Sequence, residues 1–595
     1  MSNARRMLLV SMTVVLCVSL ELSAITISRN GQANAVIVIA ADASEPEQYA
    51  AQELAGFLGR IGGAEFKVQN TENKQSACIF VGPGAAKWAD AQFSTDGLGA
   101  EGTVIKTVGD DLILAGGRPR GTLYAVYTFL EDQLGCRWWS STESTIPKKR
   151  MVAAEKLDIR YVPPLEYRSP FWFDAFDGDW SARNKANGQA HRLDAKHGGK
   201  HIYEGFVHTF YPLIPPEKYF AEHPEWFSEI DGKRTTENAQ LCLTNEEMRK
   251  ELVQNLKERL RNNPEATIAS VSQNDCHRNC QCAKCAAIEQ EEGSPAGLML
   301  RFVNAVAADI EQEFPNVAIS TLAYQYTRKP PKTTKPRSNV IVQLCSIECS
   351  FCKPLADERN KAFRDDIVDW SKICDRLYIW DYTTNFRHYV MPHPNLRVLG
   401  PNVKFFADHH VKGVFEQGAY QSYGSEMAEV RAWVLAKLLW DPTRDGDALV
   451  NEFIEGYYGP AAPDIKAYVK VMHDAVEASG DWLGCFEQHT ARYLSFDNLA
   501  RGWQCLKAAE HVVIDDADLR FRVQVAQLPV MYTFLMRWKQ MQADAKTANA
   551  EWPMPDTIKE AYDQFMAIAK KKNVTRLSEW QAGFGALDRA LAENQ

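Results

Sequence analysis

Between Thr267 and Gly418 the chain repeats one arrangement of apolar and polar positions. An apolar run of strand length is followed by polar or aromatic residues, then by a segment with helical spacing. TIASVSQND (Thr267 to Asp275), ISTLAYQYT (Ile319 to Thr327), VIVQLCSIEC (Val340 to Cys349), RLYIWDYTTN (Arg376 to Asn385) and VKGVFEQG (Val411 to Gly418) all follow it. Apolar strands alternating with helical segments predict βα units and a parallel sheet. Each strand delivers polar groups at its C-terminal end. The pattern therefore predicts an α/β protein built on a central (β/α)8 (TIM) barrel with its site at that end.

Upstream the period changes. ITISRNGQANAVIVIA reads as a strand pair turning at Asn30-Gly31, a hairpin signal. SEPEQYAAQELAGFLG (Ser44 to Gly59) reads as an amphipathic helix with Ser44 and Glu47 in capping-box positions. ACIFVGPG, GTVIKTVGDDLILAGG and RGTLYAVYTFLEDQLGCRWW add strands and a second helix. Residues 25–161 are thus expected to form an N-terminal α+β domain with both helices on one side, and residues 162–442 the barrel. Within the barrel, KPPKTTKPRSN (Lys329 to Asn339) reads as an exposed connection between two strands. Beyond it SEMAEVRAWVLAKLLW, DALVNEFIEGYYG and APDIKAYVKVMHDAVEASG carry apolar residues at or near helical spacing. The first is compatible with a barrel helix, and residues 443–595 are expected as a C-terminal helical domain.

Composition narrows the partners. Of 595 residues, 67 are Lys or Arg and 76 are Asp or Glu, a formal charge of -9. That balance argues against nucleic acid, whose binding relies on neutralising phosphates. Aromatics reach 11%, with 15 Trp, enough to fill a large core and to offer flat faces to sugar rings. Residues 1–24 place Arg5 and Arg6 before an apolar run from Met7 to Leu20, the layout of a secretory signal peptide. The run is short for a membrane span. The expectation is export to the periplasm, cell surface or medium, with no integral membrane segment in the mature chain. AGGRPRG (Ala115 to Gly121) lacks the order of a nucleotide-binding loop, and no cofactor is expected.

Of 14 Cys, seven fall in two clusters: Cys276, Cys280, Cys282 and Cys285, then Cys345, Cys349 and Cys352. In an exported protein disulfides are the first expectation. The spacing Cys280-x-Cys282-x-x-Cys285 also suits thiolates on a structural zinc ion, with Cys276 or His277 as fourth ligand.

Long motifs carry a resemblance. AGGRPRGTLYAVYTFLEDQLGCRWW (Ala115 to Trp139) resembles the N-terminal domain that precedes the barrel in α-glucuronidases and family 20 hexosaminidases. With GFVHTFYPLIPPEKYFAEHPEWFSEIDGKR (Gly205 to Arg234), QLCLTN, SVSQNDCHRNCQCAKC and LCSIECSFC, the mature chain resembles the bacterial family of domain of unknown function 4838. Part of that family is classed as glycoside hydrolase family 163. The resemblance implies a (β/α)8 barrel and endo-β-N-acetylglucosaminidase action on complex N-glycans, with an oligosaccharide or glycoprotein glycan as partner.

Glycoside hydrolysis needs an acid for the leaving oxygen and negative charge beside an oxocarbenium-like centre. Strand-end carboxylates are the candidates. Glu416 is the expected general acid/base, with Asp381 or Asp275 orienting a participating 2-acetamido group in a retaining reaction. Asn274, His208, Tyr324, Trp380, Tyr382, Glu348 and Tyr420 are expected to bind substrate. Two alternatives stay open: an inverting, α-glucuronidase-like hydrolase and a non-catalytic glycan-binding barrel.

Overall fold

The computed structural model describes residues 25–71 and 76–594. The expected signal peptide lies outside the described residues. No described helix is long and apolar enough to cross a membrane.

Asn30 and Gly31 both have positive φ, 51° and 78°, as a two-residue hairpin turn requires. They pair Ser28 with Ala33 and Arg29 with Gln32. The second arm ends there, and Ala35–Ile39 joins the neighbouring sheet instead, so ITISRNGQANAVIVIA gives three strands. That six-stranded sheet runs, by strand, Asp158–Tyr161, Thr103–Val108, Asp111–Gly116, Ala77–Val81, Ala35–Ile39, Val68–Gln69. The two helices read from the sequence, Glu45–Gly62 and Gly121–Thr128, pack with Ile37, Ile79 and Leu112 on one face. A third helix, Pro83–Ala89, covers Val38, Phe80 and Ile113 on the other. Glu47 accepts a hydrogen bond from the Ser44 backbone N–H at 2.9 Å, half of the expected capping box, and also holds Arg118 at 2.8 Å.

Seven parallel strands form the central sheet: β1 (Tyr167–Phe171), β2 (Tyr203–Glu204), β3 (Ile268–Ser270), β4 (Ala318–Ala323), β5 (Val340–Cys345), β6 (Leu377–Tyr382) and β7 (Gly413–Gln417). Their order is β1-β7-β6-β5-β4-β3-β2. Seven strands pair here, where the expectation was eight in a closed ring. β7 pairs directly with β1, from Tyr167 opposite Gly413 to Phe171 opposite Gln417, and leaves no place for an eighth strand between them. The open side lies between β1 and β2. There Asn187 donates from its backbone N–H to Arg168 O at 3.0 Å, and its carbonyl accepts from His201 N at 3.0 Å. The intervening ANGQAHRLDAKHGGK has no apolar run, so this stretch bridges the gap as a loop. At the other end of β1, the rings of Tyr167 and Tyr378 stack 5.6 Å apart. A Cβ on the intervening Gly413 would meet both side chains at 2.8 Å, so only glycine fits.

Two buried ion clusters fasten the N-terminal region to this sheet. Glu101 takes Arg120 and Arg168, each at 2.7 Å, and Asn187 Nδ2 at 2.9 Å. Burial disfavours its charge, but Arg168 and Arg120 outweigh that and hold its pKa down at about 2. Glu131 accepts from Lys185 at 3.0 Å and from Lys437 of the helix Ala428–Trp440. Every residue of that helix is buried and it packs on β1, as a barrel helix would. Seven further helices follow between Gly446 and Asn594 among the described residues.

Candidate active site

Strand parity decides what the sheet presents. On β6 the side chains of Trp380 and Tyr382 face inward, and on β7 those of Phe415 and Gln417 do. Trp380 Nε1 donates to Gln417 Oε1 at 2.8 Å, and the Trp380 and Phe415 rings lie 4.7 Å apart. Successive side chains of a strand point to opposite faces. Asp381 and Glu416, partners in the β6–β7 register, therefore face outward.

A cavity of about 330 Å³ opens at the C-terminal ends of the strands. Its wall includes Val207 and His208 after β2, Asp275 after β3, Tyr324 after β4, Cys345 and Ile347 at β5, Trp380 and Tyr382, then Gln417 and Tyr420. Leu322, Phe386, Phe486, Glu579 and Trp580 complete it. Six of the expected site residues thus meet: Asp275, His208, Tyr324, Trp380, Tyr382 and Tyr420.

The QND motif divides its labour. Gln273 is buried, donating to Tyr324 O and accepting from Thr327 Oγ1, each at 2.9 Å. Asn274, expected to bind substrate, lies outside the cavity lining and anchors the loop: its Nδ2 donates to Ala239 O at 2.8 Å, and its Oδ1 accepts from Tyr211 N at 3.3 Å. Asp275 alone faces the cavity, where its Oδ1 accepts from Tyr324 O–H at 3.1 Å. His208 lies at φ 54°, in the left-handed region, and its Nδ1 hydrogen-bonds Gln273 O at 2.7 Å. Only a protonated Nδ1 can donate to that carbonyl, which leaves Nε2 for a ligand.

Glu416 and Asp381 do not line this cavity, contrary to expectation. Both oxygens of Glu416 are buried and neither is hydrogen-bonded. Burial and the neighbouring Asp381 push its pKa well up. Burial also pushes Asp381 to about 6, against hydrogen bonds from Ser346 Oγ and Tyr382 N. Both carboxyls are buried behind the wall, outside the cavity lining. Glu348 is 3.1 Å from Arg328, a rim ion pair outside the lining.

The second cavity carboxylate is one that strand-end reasoning misses. Glu579 sits in the loop between helices Ile558–Lys571 and Gly585–Asn594, where no strand pattern points to it. Its backbone N–H donates to Phe386 O at 2.9 Å, and Thr575 N donates to Ser422 Oγ at 2.9 Å, docking the loop on the β6 and β7 connections. Its Oε1 accepts from Tyr420 O–H at 3.2 Å and Gln417 Nε2 at 3.4 Å. Burial and the charge of Asp275 across the cavity raise its pKa, partly offset by the Tyr420 hydrogen bond. Its neighbour Trp580 is 60% exposed and stacks on Phe486 at 5.5 Å. A large exposed tryptophan at a cavity mouth marks a binding surface, and it becomes visible only once the loop is docked.

The cysteines are also corrected. All 13 in the described residues are free thiols. Cys280, Cys282 and Cys285 converge with Cys242, not with Cys276 or His277. Cys276 Sγ points instead to Ala239 O at 3.6 Å, and the His277 ring faces Tyr326. In the second cluster, Cys345 lies in the cavity wall while Cys349 and Cys352 are buried behind it.

A curled parallel sheet with an acidic, aromatic cavity at its C-terminal edge defines an α/β protein of the barrel-enzyme kind. The chain belongs to the family described as Domain of unknown function (DUF4838), whose model matches residues 138–470. The model described as glycosyl hydrolase family 67 N-terminus matches residues 22–129, in line with the expected α-glucuronidase-like beginning. Among solved structures, a family GH115 4-O-methyl-α-glucuronidase with specificity for decorated arabinogalactans is similar over 93% of this chain and 78% of its own. The TM-score is 0.58 at 14% identity, a shared fold. A GH138 enzyme targeting pectin rhamnogalacturonan II aligns over 94% of this chain and 98% of its own, with a TM-score of 0.44 and 11% identity. No curated protein matches the sequence.

Proposed function

We propose that this protein is a glycoside hydrolase that cleaves a β-linked N-acetylglucosamine within glycoprotein glycans, with retention and assistance from the substrate's acetamido group. The observation that carries the reading is the pairing of Asp275 and Glu579 in one aromatic cavity with no lysine or arginine among its lining residues. A uronate would lack a cationic partner there, so the lining favours a neutral sugar over a glucuronosyl one. Aromatic walls suit the C–H faces of a pyranose.

Glu579, its pKa raised, is the general acid that protonates the leaving oxygen. Asp275, held by Tyr324, accepts the acetamido N–H and turns the acetamido oxygen toward the anomeric carbon. The glycosidic C–O bond breaks as the acetamido oxygen bonds to that carbon. Glu579, now ionised, then takes a proton from the water that opens the cyclic intermediate. Export of the chain belongs to the same reading.

The test is inhibition by a thiazoline analogue of N-acetylglucosamine, a mimic of the cyclic intermediate. Competitive inhibition of glycan release from a complex-type glycoprotein supports substrate assistance. Release insensitive to the thiazoline removes that mechanism, and release confined to glucuronosyl substrates removes the sugar assignment.

A further inference from the structure

Outside the catalytic cavity, four cysteines from two distant segments share one buried pocket. Cys242 follows the bridge that pairs Phe227 with Leu241. Cys280 and Cys282 lie in the loop after β3, Cys282 at the N-cap of the helix Ala283–Glu292 and Cys285 in its first turn. None is more than 9% exposed.

The sulfur atoms all lie within 4.8 Å of one another, and Cys242 Sγ is 3.8 Å from both Cys282 Sγ and Cys285 Sγ. That is nearly twice the roughly 2.05 Å of a disulfide. It matches the edge of a tetrahedron, about 3.8 Å, whose corners sit about 2.3 Å from a central zinc ion. Four buried thiols with no oxygen or nitrogen ligand among them form a soft donor set.

The surroundings suit a dianionic tetrathiolate centre. Glu229 N donates to Cys280 Sγ at 3.3 Å, and Arg234 Nη1 approaches the same sulfur at 3.6 Å. Thr244 Oγ1 is 3.3 Å from Cys285 Sγ. Amides of the helix N-terminus add favourable dipole at Cys282 and Cys285.

We infer that Cys242, Cys280, Cys282 and Cys285 bind one structural zinc ion that fixes the loop presenting Asp275 to the cavity. The connection is short. Two residues before Cys242, Gln240 accepts from Asn274 N at 2.8 Å and donates to Asn274 O at 3.0 Å. Four residues before Cys280, Cys276 O accepts from the same Gln240 side chain at 2.6 Å. The ion would clamp both ends of this contact and leave no open coordination position for chemistry.

The experiment is elemental analysis of the full chain, purified without added metal and dialysed. The inference expects about one zinc per chain, unchanged in Cys276→Ala and at least tenfold lower in Cys242→Ser. Mercurial titration of the wild type should release that zinc into a chromophoric chelator. Wild type with no metal, with iron in place of zinc, or with these cysteines joined as disulfides in peptide maps would overturn it. So would zinc lost from Cys276→Ala and kept in Cys242→Ser. Because wild type and Cys276→Ala carry the decision, misfolding of Cys242→Ser leaves the test intact.

Discussion

Glu579 and Glu416 carry the same functional group and are separated by their surroundings. Glu579 reaches the cavity and keeps hydrogen-bond partners, whereas Glu416 is sealed behind β7 beside Asp381. Glu579→Gln should lower turnover by about 10²–10⁴-fold, the usual worth of a general acid, in a glycan-release assay. Burial raises the Glu579 pKa, so the acid stays protonated above the ordinary carboxyl range and activity should fall as pH rises through its folded value. That alkaline limb should vanish in Glu579→Gln. For Glu416 the sign lies in stability. A carboxyl whose folded pKa is raised loses stability as pH rises from its unfolded value toward the folded one. Glu416→Gln, neutral and isosteric, should match or exceed wild type in thermal melts at neutral pH, by a margin that grows as pH rises above the ordinary carboxyl range. A melting point well below wild type would contradict the buried-pair account. The sequence located the right strands and the wrong parity: VFEQG contains the barrel wall, but a period of two turns Gln417 inward and Glu416 outward.

At the scale of elements, β3 to β7 were legible because buried parallel strands are continuous apolar runs with little else in the sequence to imitate them. β2 was not legible, since two residues, Tyr203 and Glu204, carry no period. The loop with Glu579 and Trp580 was illegible as a site for another reason: its position depends on docking to Phe386 and Ser422, contacts made 193 and 153 residues away in sequence. Trp580→Ala should raise KM several-fold while sparing kcat, because an exposed ring at the mouth binds sugar without touching the bond that breaks. A fall in kcat at unchanged KM would contradict that role. The Glu101 cluster makes a separate prediction. Its pKa, lowered to about 2, contributes stability present above the ordinary carboxylate value and lost as pH falls toward the folded one, on the order of 3 kcal/mol. Glu101→Gln should therefore be destabilised at pH 7, with Arg168 and Arg120 left unpaired, and urea titrations should show the deficit narrowing below about pH 4. A deficit constant with pH would show that Glu101 acts through packing alone.

Across the whole molecule, the catalytic cavity is an assembly of distant parts. The parallel sheet supplies Trp380, Tyr382 and Gln417, the turn after β4 supplies Tyr324, the loop after β3 supplies Asp275, and the loop between the last two helices supplies Glu579. The family match ends at residue 470, so the proposed acid comes from beyond it. This explains why motif reading reached the substrate walls and the family but not the full pair of carboxylates. The direct measurement is mass spectrometry of glycans released from a complex-type glycoprotein by wild type, Glu579→Gln and Glu416→Gln, each first shown to be folded. The account predicts products ending in a single N-acetylglucosamine from wild type and Glu416→Gln, and almost none from Glu579→Gln. Full release by Glu579→Gln, or none by a folded Glu416→Gln, would contradict it.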